Sequence, residues 1–310
     1  MTVRLNTALI ATLAALASSS FAAAQPPAPS AASQNPSPMV EETRPHERLA
    51  PRAIEGDRRS FVGPGGRRVE LLVRNKARVR KTVDIVVHFH GAAWVAEQAV
   101  AELDEHSVTV VVNLGAGSGA YHAAFADGTA FESLLAGVTR EVSAAIGKPT
   151  RIERVTLAGF SAGHGAVRAI LREPRHFAAV SAVLLLDGMH TSYLPSGAML
   201  AAGGTLDPTN LVEFADFARA AQRGEKRFMV THSEIFPGTF ASTTETASWL
   251  LRALGLRRRP VIKWGPRGMQ QLSEVRSGHF QLLGYAGNSA PDHVDHLHAM
   301  PELLAQTLRK

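Results

Sequence analysis

The stretch RIERVTLAGFSAGHG, residues 151–165, constrains the fold of this chain more than any other. It opens as a β-branched apolar run through Ile152, Val155 and Leu157, then gives way to small residues around a single serine. An alanine-rich amphipathic segment, AVRAILREP, follows, so the expected order is strand, tight turn, helix. Gly159-Phe160-Ser161-Ala162-Gly163 fits G-x-S-x-G, a turn in which the serine takes a strained backbone conformation and holds its Oγ clear of strand and helix. Glycine suits the flanking positions, where neighbouring backbone comes close. The N–H groups that open the next helix face the same point and can stabilise developing negative charge there.

Apolar runs recur on either side. Val83–His90 (VDIVVHFH), Val108–Leu114 (VTVVVNL) and Ala179–Leu186 (AVSAVLLL) are nearly unbroken, as strands buried on both faces must be. Helical spacing is read at Ala92–Leu103, Ala130–Ile146, Leu211–Ala221 and Thr244–Leu254, with further strands at Arg227–Thr231 and Phe280–Gly284. A terminal helical segment, His293–Leu308, is broken or begun afresh at Pro301. Arg59–Val62 and Arg67–Arg74 form an expected antiparallel pair around Gly63-Pro64-Gly65-Gly66. Gly115–His122 (GAGSGAYH) is read as a flexible loop. Strands alternating with helices imply a parallel sheet with helices on both faces and ligands at the carboxyl ends of the strands.

Arg4, the apolar run Ala8–Ala17 and Ala22-Ala23-Ala24 have the order of a secretory signal, expected at residues 1–24 and removed before Gln25. Residues 25–57, rich in proline, serine and alanine at their start, are expected to form a disordered leader, and residues 58–310 the folded domain. The chain is then exported to the periplasm or beyond, without stable membrane insertion once the signal is cleaved. It has no cysteine, so neither a disulfide nor a thiol nucleophile is available. The net charge of +6 raises a nucleic-acid partner, but the arginines are scattered and not interleaved with aromatics, so no nucleic-acid role is expected.

Chemistry gathers at the strand ends. His90-Gly91 closes the strand before the serine turn, where a backbone N–H from Ala92 (or Gly91) can join that of Ala162 in an oxyanion hole. A serine nucleophile needs a base, and the base an orienting carboxylate, in the chain order serine, acid, histidine. Asp187, ending a buried strand in LLLDGMH, is preferred as the acid, since an unpaired charge there is costly. Glu234, after the next strand, is the alternate. For the base, His293 is preferred, read as lying on a loop just before the last helix, with His296 as alternate. His164 and His190 are read as structural donors that could touch substrate. The sequence Asp292-His293-Val294-Asp295-His296 also raises a metal site, but no HExxH and no cysteine complete a ligand set, and no metal or other cofactor is expected.

With VVHFHG, GFSAGHG, LLLDG and the DHVDH stretch in this order, residues 60–308 resemble the α/β-hydrolase superfamily, and within it exported bacterial hydrolases of esterase type. The resemblance implies an α/β-hydrolase fold with a mostly parallel sheet of about eight strands and a Ser-acid-His triad. It implies an exported serine hydrolase acting on a small-molecule or lipid-like ester. A serine peptidase or amidase on the same fold, and a non-catalytic binding protein, are the rivals. The chain departs from the glycine-rich HGGG of many esterases by having His90-Gly91-Ala92-Ala93-Trp94. Residues 189–210 are expected to form a lid or pocket wall, and Trp94 to line the pocket or pack in the core.

Overall fold

The computed structural model describes residues 45–309 apart from Arg80 and Glu105, so the expected signal and most of the leader lie outside the described residues. The strands are β1 (Asp57–Val62), β2 (Arg68–Val73), β3 (Thr82–Phe89), β4 (Val108–Val112), β5 (Arg151–Phe160), β6 (Val180–Leu186), β7 (Tyr193–Leu194), β8 (Thr205–Leu206), β9 (Arg227–His232), β10 (Arg259–Trp264), β11 (Gln270–Ser277) and β12 (Phe280–Tyr285). The helices are α1 (Ala93–Leu103), α2 (Ser118–Phe125), α3 (Ala130–Ile146), α4 (His164–Leu171), α5 (Pro174–Ala179), α6 (Val212–Gln222), α7 (Thr243–Ala253), α8 (Ala290–His298) and α9 (Met300–Leu308).

One sheet takes ten strands in the order β1-β2-β4-β3-β5-β6-β9-β12-β11-β10. Its middle, from β4 to β12, is parallel throughout, and an antiparallel pair extends each end. The unbroken apolar runs are explained by burial on both sides. Val83, Ile85, Val87 and Phe89 of β3 enter one core, with α2, α3, α4, α6 and α7 packed over it. Val86 enters the other, beneath α1 and α9. Each such side chain stabilises the fold by roughly 1.5–3 kcal/mol on burial.

The sheet has two strands more than the eight expected. β10 and β11 escaped notice because β10 is an exposed edge (RPVIKW) and β11 is largely polar (QQLSEVRS), so neither shows a long apolar run. Helix α2 was also missed. Its glycine-rich start suggested a loop, yet it begins directly after Gly117 at φ 91° and buries Tyr121 and Phe125. Residues just ahead of the expected boundary at 58 are already packed on the domain. Leu49 and Ile54 are buried, Arg48 donates to the carbonyl of Pro291 at 2.7 Å, and His46 meets Asp295 at 2.8 Å. Arg48 also pairs with Asp295, so residues 46–54 are fastened to the domain ahead of β1.

Three histidines, His88, His164 and His232, are buried, and burial lowers their pKa values to about 4, 3 and 4. Unfolding frees all three to take protons near pH 6.5, so the unfolded state binds more protons below that value, and stability is lost as pH falls from 6.5 toward 4. Between pH 7.5 and 5.5 each contributes a loss of about 1 kcal/mol. Urea unfolding at those two pH values should therefore show a drop of a few kcal/mol, and equal stabilities would contradict buried neutral rings.

Candidate active site

The register of the parallel strands assembles the site. Phe89 of β3 is paired with Gly159 of β5, and Phe160 with Leu186 of β6. The next residues along the chain are His90 after β3, Ser161 after β5 and Asp187 after β6. All three have positive φ, at 70°, 47° and 43°. A non-glycine residue in this region costs about 1–2 kcal/mol, and strained residues cluster where a side chain must be aimed. Two glycines let these ends converge. A Cβ on Gly163 would lie 2.1 Å from the carbonyl oxygen of Phe89, and one on Gly188 would lie 2.5 Å from that of Ser161.

Ser161 opens a single 3-10 turn, Ser161–Gly163, that runs into α4. The N–H of Ala162 sits in that first turn, where no intrahelical acceptor is available. Ala92 immediately precedes α1, as its N-cap residue, and its N–H likewise has no intrahelical acceptor. The Gly91 amide is already committed. It donates to Asn113 Oδ1 at 3.1 Å, while Asn113 Nδ2 donates back to the Gly91 carbonyl at 3.0 Å. Asn113 therefore pins the turn that presents Ala92. Nothing in the apolar run VTVVVNL marks it for that task. Next to it, Tyr121 hydroxyl meets His90 Nδ1 at 2.9 Å and accepts from the Leu114 N–H at 3.1 Å.

Asp187 is buried and accepts four hydrogen bonds. Oδ1 takes the Ser233 N–H at 2.9 Å and Thr243 Oγ1 at 2.7 Å. Oδ2 takes Ser233 Oγ at 2.7 Å and His293 Nδ1 at 2.7 Å. Burial alone would raise the pKa of this carboxyl. The neighbouring His296 and His293, with the bonds from His293 and Thr243, outweigh it and hold the group well below the usual carboxylate range. It is a carboxylate at neutral pH. Ser233 and Thr243 were not anticipated, since serines and threonines beside a strand or opening a helix ordinarily serve as caps.

His293 lies in the first turn of α8, not on the loop before it as the sequence suggested. A capping box between Ser289 and Asp292 starts the helix three residues earlier than expected and fixes where His293 points. With Nδ1 donating to Asp187, its Nε2 carries the lone pair. The ring of Phe160 packs on it, with centroids 4.6 Å apart, and His90 stacks on Phe160 at 5.9 Å. His296 is directed elsewhere: its Nδ1 meets Thr231 Oγ1 at 2.8 Å in the buried layer beneath Asp187. The side chain of Glu234 is exposed, while its backbone N–H is bonded to Gly287. The metal set considered for this stretch does not converge, since His293 and His296 face different partners. Asp292 and Asp295 instead lie near His46, within a cluster that Arg48 enters.

Ser161, Asp187 and His293 open onto one cavity of about 360 Å³. A larger one, about 450 Å³, lies at the opposite, amino ends of β3, β5 and β9 and touches none of these groups. The site cavity is walled mainly by Ile235–Pro237, Phe240 and Asn288–Ala290. Of the expected lid, residues 189–210, only His190 reaches it. His190 donates from Nδ1 to the Ala241 carbonyl at 2.9 Å, and His164 from Nδ1 to the Ser161 carbonyl at 2.8 Å. Trp94 packs edge-on against His298, with centroids 5.6 Å apart, and is not part of the cavity wall.

A mostly parallel sheet with helices on both faces and a strained serine at the strand-to-helix turn define an α/β-hydrolase fold. No family model and no curated protein matches the sequence. Among solved structures, the chain is similar to a thermostable esterase at 15% identity and a TM-score of 0.43, over 80% of this chain and 60% of that one. It is similar to Est1E from Butyrivibrio proteoclasticus at 10% identity and a TM-score of 0.41, over 82% and 99% of the two chains. It is also similar to an S-formylglutathione hydrolase from Agrobacterium tumefaciens at 16% identity and a TM-score of 0.40, over 78% and 90%.

Proposed function

We propose that this protein is a serine hydrolase of carboxylic esters, with Ser161 as nucleophile, His293 as base and Asp187 as the orienting acid. The observation that carries this reading is the 2.7 Å bond from His293 Nδ1 to buried Asp187, on the wall of the same cavity as the strained Ser161. Ser161 Oγ attacks the acyl carbon as its proton passes to His293 Nε2. The oxyanion that forms is met by the N–H groups of Ala162 and Ala92. Collapse of the tetrahedral intermediate expels the alcohol, which takes the proton from His293. Water, activated by the same imidazole, then releases the acid and restores Ser161. Asp187 stays ionised throughout and stabilises the imidazolium.

Each group has a stated energetic task. A positioned general base is worth about 10²–10⁴ in rate, and an oxyanion donor about 10²–10³. The test is a fluorophosphonate probe, with the labelled residue located by mass spectrometry. One probe molecule should attach per chain, at Ser161. A folded protein that takes up no label would refute the reading.

A further inference from the structure

We propose that the cavity beside Ser161 accepts the uncharged aromatic half of an ester, and that Phe240, Phe236 and His190 select it. This inference rests on the hydrolase reading above and names its substrate class. The observations are of shape, lining and charge. Phe236 and Phe240 are large apolar side chains left 39% and 41% exposed, and both stand on the cavity wall. Exposed aromatics bordering a concave site are a feature of ligand pockets, not of an ordinary surface. The rings of His190 and Phe240 are 5.0 Å apart at 85°, making a right-angled corner. A third ring fits such a corner with its edge on one wall and its face along the other, the arrangement aromatic groups prefer. Ile235 and Pro237 continue the apolar wall.

Size sets one condition. A dry cavity of roughly 150 Å³ takes up benzene, so one of about 360 Å³ has room for a ring with a short linker. Charge sets the other. The chain as a whole is cationic at +6, yet no lysine or arginine lines this cavity among the described residues. Its charged neighbour is the Asp187 carboxylate. The His190 ring is neutral, since burial lowers its pKa. A carboxylate or phosphate on the bound group would meet an anion and no counter-charge.

The test uses the full chain and two ester series, because either half of the ester could occupy the cavity. The acyl series comprises ethyl butanoate, ethyl phenylpropanoate and monoethyl succinate. The alcohol series comprises propyl acetate, benzyl acetate and O-acetylglycolate. In one series, kcat/KM for the ring ester should exceed that of the aliphatic ester by about tenfold or more, with the anionic ester about tenfold or more below it. Phe240→Ala should cut the ring-to-aliphatic ratio to within about threefold, and Phe236→Ala should lower it in the same direction. Absence of ring preference in both series, or a preference that survives Phe240→Ala, overturns the inference. Fluorophosphonate labelling of the same preparations separates the two failures. If Ser161 is labelled and the aliphatic esters are cleaved without ring preference, the substrate assignment alone fails. If Ser161 is not labelled, the hydrolase reading fails and takes this one with it.

Discussion

Ser161→Ala should lower kcat/KM for ester hydrolysis by about 10⁴ or more and abolish fluorophosphonate labelling, with the fold intact. The size of the loss follows from what remains. Without Oγ no acyl-enzyme can form, and His293 and the two N–H groups are left to assist a water that the site does not position. The fold should survive because alanine at φ 47° carries the strain that serine already carries. Circular dichroism and urea unfolding should place the variant within about 1 kcal/mol of the wild type, which separates loss of chemistry from loss of structure. Activity retained at a tenth of wild type or more would remove Ser161 as nucleophile.

The parts of this site differ in how plainly the sequence shows them, and the reason is physical. The serine turn is local. Its strand, its two glycines and its helix occupy one continuous run, residues 151–171, and each depends on its neighbours in the chain. The parallel strands are legible because burial on both faces demands apolar residues without alternation. Asp187 and Glu234 were both visible as acids following strands, but what distinguishes them is tertiary. Register places Asp187 directly beside Ser161, while Glu234 sits one residue past Ser233, whose amide and hydroxyl are the ones that reach Asp187. Asn113, Ser233 and Thr243 act only through partners far along the chain, and no periodicity marks such a residue. The β10–β11 extension was invisible for the opposite reason, since an edge strand with a solvated face has little apolar signal to give.

Asp187→Asn should reduce kcat by about 10³–10⁴, whereas Glu234→Gln should change it by less than about threefold. The outcome depends on which donors can move. The Ser233 N–H that reaches Oδ1 is backbone and cannot turn away, so an asparagine must place its carbonyl oxygen there. Its NH₂ then takes the place of Oδ2, facing Ser233 Oγ and His293 Nδ1. The serine hydroxyl can rotate and accept. The imidazole can satisfy an NH₂ only by turning Nδ1 into an acceptor, which puts its proton on Nε2, the nitrogen that must receive the proton of Ser161. The variant keeps its hydrogen bonds and loses its base. It also loses stability, because a carboxylate held below its ordinary pKa binds fewer protons folded than unfolded. That contribution is complete above the ordinary value of about 4 and is lost only as pH falls through the lower folded value. At pH 7 the variant should therefore be both inactive and less stable, with Glu234→Gln matching the wild type in both respects. Collapse of the Glu234 variant with survival of the Asp187 variant would reverse the assignment of the acid.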